Sequence, residues 1–222
     1  MISQQLECVR EKIAMAEKRS GRKIGETTLI AVTKTHGPDM INEAIRAGVE
    51  DIGENRVQEI LDKYEDVLPV RWHLIGHLQT NKVKYIIDKV SMIHSVDSIK
   101  LLDEIERQAE LKNVKCMDVL IEMNISGEES KFGVTEDDLD KILEHGKTLS
   151  RVRIQGLMTV APRIDDKNPS NTEVFKKLKA VCLEKNLKYV SMGMSGDYEE
   201  ATECGADFVR VGSAIFGERG KF

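Results

Sequence analysis

The sequence predicts an α/β protein built as one (β/α)8 barrel with an additional helix at the N-terminus. Eight short apolar runs alternate with amphipathic stretches along the chain. The runs are dense in Val, Ile, Leu and Met instead of alternating with polar residues, which is typical of parallel strands covered on both faces. A length of 222 residues suits one such domain. A doubly wound open sheet is the alternative with the same alternation.

The first predicted element is an amphipathic helix over residues 1–20, which ends at Gly21. Its apolar residues recur every three to four positions and are Ile2, Leu6, Val9, Ile13 and Ala16. The predicted strands span 28–34, 49–53, 70–75, 91–95, 117–125, 151–158, 189–193 and 207–212. The predicted helices between and after them span 38–47, 54–65, 79–88, 97–112, 135–148, 170–186 and 197–204.

Helix boundaries carry their own signals. Asp97, Thr135 and Asp197 are predicted N-caps, because their side chains can accept hydrogen bonds from the first backbone N–H groups of a helix. Gly48 and Gly205 follow helices as stop signals. No linker or low-complexity segment interrupts the pattern, so residues 1–222 are predicted to form a single domain.

Composition narrows the function. The chain has 33 Lys and Arg against 38 Asp and Glu, a formal charge of −5, which argues against nucleic acid as the main ligand. No apolar run approaches the roughly 18 residues of a membrane span, and no secretion signal precedes the first helix. We therefore expect a cytoplasmic protein. The four cysteines lack the Cys-x-x-Cys spacing of zinc sites and lie at Cys8, Cys116, Cys182 and Cys204.

Lys34 closes the first predicted strand, where period two places it on one face with Ile30 and Val32. The carboxyl ends of barrel strands form the active mouth. A partly desolvated lysine there has a lowered pKa, and its neutral amine can attack a carbonyl to form a Schiff base. A solvated lysine at a strand end is the alternative from position alone.

The turns after the seventh and eighth predicted strands indicate an anion site. Barrels commonly bind a phosphate between these two loops with backbone N–H groups. Gly196 and Gly212 allow close approach of the backbone, and Ser195 and Ser213 offer hydroxyl groups. Two ordinary Gly/Ser turns are the alternative.

Arg210 lies inside the apolar eighth strand, two residues before Gly212. A guanidinium in that place must face the barrel mouth and find an acceptor, because an unpaired buried charge is costly. It either contacts a heteroatom of the ligand or forms a structural ion pair with Glu54 or Glu122.

Other candidates give weaker signals. Asn55 follows the second strand and either bonds a ligand or caps a helix. His73 and His77 have i,i+4 spacing but straddle a strand end, so a zinc site is not expected. Lys131 lies in a charged loop and is interpreted as solvated.

A reactive lysine, a phosphate site and a buried arginine at one mouth suggest pyridoxal phosphate, and six ordered motifs carry a resemblance to a known family. The sequence resembles the pyridoxal phosphate homeostasis proteins over nearly its whole length. The motifs are AVTKT at 31–35, GENRVQE at 53–59, WHLIGHLQTNK at 72–82, GLMT at 156–159, SMGMS at 191–195 and VRVGSAIFG at 209–217.

The resemblance implies the barrel of the alanine racemase N-terminal domain, with pyridoxal 5'-phosphate as cofactor. Lys34 would then form the internal aldimine and Arg210 would face the pyridine nitrogen. Asn55 would contact the cofactor from the second strand. The phosphate would be held by Ser195, Gly196, Gly212 and Ser213.

The departures from the racemase predict a non-catalytic protein. Val160 stands where the racemase pattern has a histidine, and the racemase's second domain with its tyrosine has no counterpart in the sequence. Racemisation needs two bases on opposite faces of the α-carbon. We expect a monomeric carrier that takes part in cofactor homeostasis and delivers pyridoxal phosphate to apoenzymes. The alternatives are a minimal fold-III racemase and a Schiff-base aldolase acting on a sugar phosphate.

Overall fold

The structure is a computed structural model and describes residues 1–127, 132–165 and 168–217. These residues form a closed barrel of eight parallel strands in sequence order, with the last strand paired to the first. The strands are β1 (Thr28–Val32), β2 (Asp51–Glu54), β3 (Arg71–Leu74), β4 (Met92–Val96), β5 (Met117–Glu122), β6 (Val152–Met158), β7 (Tyr189–Ser191) and β8 (Phe208–Val211).

Helices precede, connect and follow the strands. They are α1 (Ile2–Arg19), α2 (Pro38–Arg46), α3 (Val57–Lys63), α4 (Val83–Ile86), α5 (Ile99–Leu111), α6 (Glu136–Gly146), α7 (Thr172–Glu184), α8 (Tyr198–Glu203) and α9 (Ser213–Phe216). The predicted barrel is confirmed, and the open sheet is excluded by the β1–β8 pairing. Within the described part of the chain, none of the helices combines the length and apolar character that crossing a bilayer would need.

The apolar core has two layers, which explains why the strands are apolar on both faces. The larger layer joins helix residues such as Ile41, Leu102 and Phe175 to strand residues, and all three are fully buried. The smaller layer lies inside the barrel and consists of Ile30, Met92, Leu120, Met158 and Phe208.

The additional helix α1 supports the side of the barrel that carries the predicted anion site. Its apolar stripe, which includes Leu6 and Ile13, is buried, and it packs against α8 and α9. Arg19 adds an ion pair at 2.6 Å to Glu203 of α8. Helices α8 and α9 follow β7 and β8. By packing against them, α1 therefore supports both loops that are predicted to bind phosphate.

Most predicted elements are longer than the observed ones, as for 54–65 against Val57–Lys63 and 117–125 against Met117–Glu122. Strand β1 ends at Val32, two residues before Lys34, because the chain turns through Thr35, whose φ is +69°. The predicted helix 79–88 consists of a 3₁₀ turn at Thr80–Lys82 followed by the single turn of α4.

Helix capping agrees with the prediction only in part. The N-cap of α5 is Ser98, whose hydroxyl accepts the Leu101 N–H, whereas the Asp97 carboxylate lies 3.3 Å from His77. Thr135 caps α6 as predicted. Asp197 occupies the N-cap position of α8, but its carboxylate accepts the N–H of Met194, outside the helix.

Candidate functional site

A cavity of about 700 Å³ opens at the carboxyl ends of the strands. The structure brings all seven residues that the sequence analysis selected to its wall. They are Lys34, Asn55, Ser195, Gly196, Arg210, Gly212 and Ser213. Side chains that had not been selected complete the wall, among them Val32, His36, Ile75, Val160 and Met194. The volume is in the range of small-molecule sites.

Lys34 is half-buried in the turn that follows β1. A side chain of α3 holds this turn by a hydrogen bond. The next residue, Thr35, has left-handed backbone geometry with φ +69°, which costs a residue with a β-branched side chain on the order of 1–2 kcal/mol. The N–H of Thr35 donates to Oε2 of Glu59 over 2.7 Å. This bond offsets the cost of the backbone geometry and fixes the position from which Lys34 enters the cavity.

A buried ionic cluster beneath this turn consists of Glu54, Glu59 and Lys63. The ammonium of Lys63 donates to Oε1 of Glu54 at 2.8 Å, to Oε2 of Glu59 at 2.9 Å and to the carbonyl of Thr33 at 3.1 Å. Glu54 is fully buried, and its Oε2 has no hydrogen-bond partner among the described residues. The cluster therefore ties α3, β2 and the end of β1 together.

The two carboxyl groups of this cluster respond differently to burial. Burial raises the pKa of Glu54, and the hydrogen bonds from Lys63 and Thr33 oppose that rise without cancelling it. Burial also acts to raise the pKa of Glu59, but the Thr35 N–H and Lys63 outweigh it and the pKa lies below its usual value. The ionised Glu59 is thus the acceptor that holds the Lys34 turn.

His36 contributes an imidazole to the cavity wall, with its ring 4.8 Å from that of Phe216. Burial lowers its pKa first, and the positive charge of Lys63 lowers it further. The imidazole is therefore neutral near pH 7. His36 lies in a strand-to-helix turn of the sequence, and nothing in that pattern predicts that its side chain lines the cavity.

The two loops predicted to bind an anion are joined by a hydrogen bond. The N–H of Gly212 donates to the hydroxyl oxygen of Ser195 at 3.0 Å, which leaves the hydroxyl hydrogen available to a ligand. Ser213 is the first residue of α9, and the N–H groups of Ser213 and Ala214 have no acceptor within that helix. Hydroxyl and amide donors therefore converge on one side of the cavity.

Arg210 is buried, and its guanidinium lines the cavity. Nη1 donates to the Ser191 hydroxyl at 2.7 Å and Nη2 to the Thr159 carbonyl at 2.9 Å. These bonds go to neutral oxygens, in place of the alternative ion pair with Glu54 or Glu122. Burial lowers the pKa of Arg210 to about 10 although the charges of Glu122 and Asp197 oppose this, so the group is a cation at neutral pH.

Asn55 follows β2 and lines the cavity. The loop after β3 passes very close to its backbone. That loop contains Gly76, and a Cβ atom at this position would overlap the backbone carbonyl of Asn55. A glycine is therefore required here by close approach of two backbone segments.

The weaker histidine candidates go to different partners. His73 is buried inside the barrel, whereas the ring of His77 stacks on Phe132 with centroids 4.1 Å apart. Among the described residues, no group of three or more His, Cys, Asp or Glu side chains is arranged to hold a metal ion. Lys131 lies outside the described residues.

Glu59 and Lys63 were missed by the sequence analysis although they support the turn that carries Lys34. Glu59 lies within the GENRVQE motif, and Lys63 follows it at i+4, a spacing that pairs charges on one helix face. That pattern alone indicates a solvent-exposed pair. Only the fold turns the pair towards β1 and β2, where Lys63 is buried and Glu59 is half-buried.

Comparisons with a family model, with protein sequences and with solved structures relate this chain to the same group of proteins. The family model for the alanine racemase N-terminal domain matches residues 5–220. A pyridoxal phosphate homeostasis protein of Aquifex aeolicus is 44% identical over 97% of both chains. The solved structure of PipY from Synechococcus elongatus with PLP bound is 30% identical, covers 98% of this chain and 100% of that one, and superposes with a TM-score of 0.84.

More distant solved structures share the fold. An alanine racemase of Clostridium difficile superposes with a TM-score of 0.74 at 14% identity, and the match covers 96% of this chain and 57% of the racemase. This likeness establishes the architecture, which is the barrel that the sequence analysis expected.

Proposed function

Since this chain belongs to the family of pyridoxal phosphate homeostasis proteins and has the fold of the alanine racemase N-terminal domain, we propose that it binds pyridoxal 5'-phosphate (PLP) reversibly through Lys34. One observation carries the proposal. An amine, two loops rich in hydroxyl and amide donors, and a buried guanidinium line the same cavity. These groups fit the aldehyde, the phosphate and the ring nitrogen of PLP.

The cofactor supplies an aldehyde that reacts with amines and an aromatic ring that withdraws electrons. The protein supplies the groups that bind and orient the cofactor. Lys34 presents its amine from the turn held by Glu59. Ser195 and Ser213 donate from their hydroxyls, and Gly196 has open space where a side chain would stand, so a phosphate can approach the backbone there. Asn55, which also lines the cavity, would contact the ligand from the end of β2.

Arg210 favours a carrier over a catalyst. Its guanidinium donates hydrogen bonds and accepts none, so it would leave a pyridine nitrogen that faces it without a proton. An unprotonated ring withdraws electrons less strongly and stabilises a carbanion poorly. We therefore propose that the protein stores PLP, limits the free aldehyde and passes the cofactor to PLP-dependent apoenzymes, without robust turnover of its own.

A second candidate function is slow amino-acid racemisation, and one observation favours it. The neutral imidazole of His36 lines the same cavity as Lys34, so two bases are present. Val160, however, stands where the resembled racemase pattern has a histidine. Incubation with D- and L-amino acids in deuterated water decides between the two functions. Exchange of the α-proton at enzyme-like rates that is lost in Lys34→Ala and His36→Ala would establish the racemase.

The binding proposal is tested by visible absorbance after addition of PLP, followed by borohydride reduction and peptide mapping. We expect a yellow complex and a reduced adduct on Lys34. Lys34→Ala should give neither, and Lys100→Ala, a change of an exposed lysine on α5, should behave as the wild type. An adduct spread over surface lysines, or a sugar phosphate trapped on Lys34 in place of PLP, would refute the proposal.

The transfer of PLP to apoenzymes and the oligomeric state of the protein are tested by separate measurements. The PLP-loaded protein mixed with a PLP-dependent apoenzyme should restore that enzyme's activity faster than the spontaneous release of PLP allows. We further propose that the protein is a single domain and a monomer. Light scattering at several concentrations tests the monomer, and a mass of twice the chain would refute it.

A further inference from the structure

A chain of hydrogen-bonded polar side chains crosses the interior of the barrel, a region that is usually packed with branched apolar residues. From Arg210 in β8 the chain passes to the hydroxyl of Ser191 in β7, 2.7 Å away. Ser191 contacts Nδ1 of His94 in β4 at 2.9 Å. His94 Nε2 lies 2.9 Å from Nδ1 of His73 in β3. The chain ends at Asp51 in β2, where Oδ1 is 2.9 Å from His73 Nε2.

The far end of the hydrogen-bonded chain, at Asp51, is an anion. Asp51 lies at the start of β2, at the opposite end of the barrel from the cavity, and accepts two bonds from Arg71 at 2.7 and 2.6 Å. Burial alone would raise the pKa of Asp51, but the bonds from His73 and Arg71 outweigh it and lower the pKa. The carboxylate therefore only accepts hydrogen bonds.

His94, in the middle of the hydrogen-bonded chain, is neutral. It is fully buried, and burial lowers its pKa well below the ordinary value, with the cation of Arg210 acting in the same direction. The carboxylate of Asp51 is already paired with Arg71, and His73, which is 3% exposed, adds a hydrogen bond to it.

With both ends fixed and one hydrogen on each imidazole, the hydrogen bonds run in one direction. Asp51 accepts, so His73 carries its hydrogen on Nε2 and accepts at Nδ1. His94 then donates from Nε2 and accepts at Nδ1 from the Ser191 hydroxyl. The oxygen of Ser191 is left as the acceptor for Arg210, which can only donate. The order of the five groups is therefore self-consistent.

We propose that Ser191, His94, His73 and Asp51 are positioning residues that fix the guanidinium of Arg210 in the cavity and so set its approach to the ring of the ligand. This inference rests on the proposed function for the identity of that ligand. The direction of the chain does not, because the polar groups and their distances belong to the protein alone.

The competing arrangement shows why direction matters. If His73 carried hydrogens on both ring nitrogens, Nδ1 would donate to His94, and His94 Nδ1 would then donate to Ser191. The Ser191 oxygen would accept from both His94 and Arg210, and its own hydrogen would lose the His94 acceptor. Arg210 would then share its acceptor and be held less firmly.

The first test is ¹⁵N NMR of the imidazole nitrogens in the ligand-free protein. We expect a hydrogen on Nε2 of both His73 and His94, and none on Nδ1 of His94. A hydrogen on Nδ1 of His94 would overturn the proposal. The Nη–H signals of Arg210 should exchange slowly with water in the wild type and faster in His73→Leu, and unchanged exchange in that variant would also overturn it.

The second test compares His73→Leu, which breaks the chain, with His73→Gln, which keeps a donor and an acceptor. Met92→Leu is the matched control, since Met92 is buried in the barrel interior outside the chain. His73→Leu should weaken PLP binding on the order of tenfold and shift the visible absorption maximum of the complex. His73→Gln should restore both to near wild type, and Met92→Leu should change neither.

The outcomes separate this inference from the proposed function. Wild-type protein that binds PLP on Lys34, with His73→Leu unchanged in affinity and spectrum, would refute the positioning role alone. Wild-type protein that binds no PLP would refute the proposed function, and the NMR signals of His94 and Arg210 would then decide the positioning role. If His73→Leu fails to fold, Ser191→Ala takes its place, because it removes the link next to Arg210.

Discussion

The backbone N–H of Thr35 donates a 2.7 Å hydrogen bond to Oε2 of Glu59. The bond joins the left-handed turn after Lys34 to helix α3, and Lys63 binds the same carboxylate oxygen at 2.9 Å. The position of Lys34 in the cavity wall therefore depends on a carboxylate that is not itself among the lining residues.

Glu59→Ala should loosen the Lys34 turn. We expect the free energy of unfolding to fall by about 1–2 kcal/mol, because the Thr35 N–H loses a charged acceptor. PLP affinity should fall by roughly tenfold for the same reason. Denaturant unfolding and absorbance titration measure the two effects. Glu65→Ala, which changes an exposed carboxylate just beyond α3, is the control. Wild-type affinity in Glu59→Ala would contradict the assigned role.

Lys63→Met should destabilise the protein strongly. It leaves the fully buried Glu54 carboxylate without its cation, and breaking such a pair costs about 3–5 kcal/mol. The double variant Lys63→Met with Glu54→Gln should recover a substantial part of that loss, because the amide carries no charge. Guanidinium unfolding of both single variants and the double variant gives the coupling. Strictly additive losses would show that the two side chains do not interact.

Glu122 should make stability depend on pH. Burial raises its pKa to about 7, opposed by Arg210 and assisted by Asp97, from an ordinary value of 4.5. Between these values the folded protein binds a proton that the unfolded chain has released. The contribution of this group to stability is therefore complete below pH 4.5 and is lost as the pH rises through 7.

Glu122→Gln removes this titration. The variant should be more stable than the wild type by on the order of 3 kcal/mol at pH 8, and the two should converge near pH 4.5. Thermal or denaturant unfolding across this range measures the difference. Glu136→Gln, at an exposed position in α6, should show no such trend. A constant difference at all pH values would mean that burial does not raise the pKa of Glu122.

Ser195→Ala should affect phosphate recognition selectively. The Ser195 oxygen accepts the Gly212 N–H, so the hydroxyl hydrogen is available to a phosphate oxygen. We expect PLP affinity to fall by roughly tenfold and the affinity for pyridoxal, which lacks the phosphate, to stay the same. Ser3→Ala, at an exposed position of α1, is the control. An equal loss for both ligands would place the phosphate elsewhere.

Much of the fold and the cavity could be predicted from the sequence because each signal is local. The order of β1 to β8 follows from the alternation of apolar runs and helical stretches, and strand ends of a parallel barrel meet at one mouth. Ser195 and Gly212 were identified by their loops, and Lys34 and Arg210 by their strands. All four line the cavity, although their roles towards a cofactor are proposals.

Other parts depend on contacts between residues far apart in the chain. The pairing of His94 with Ser191 spans 97 positions, and no periodicity encodes it. His73 was set aside as half of an i,i+4 pair, yet its partners are His94 and Asp51 from neighbouring strands. A hydrogen bond forms only when closure of the barrel brings donor and acceptor within about 3 Å.

The barrel, its repeating pattern and the groups at its mouth can be predicted from the sequence, because hydrophobic periodicity and turn chemistry act over a few residues. Which charges are buried, and what they bind, depends on contacts that form only in the folded barrel. Burial removes water from Glu54, Glu122 and Arg210, and the loss of solvation shifts their pKa values and makes their partners matter. That environment exists only after all eight strands have closed around it.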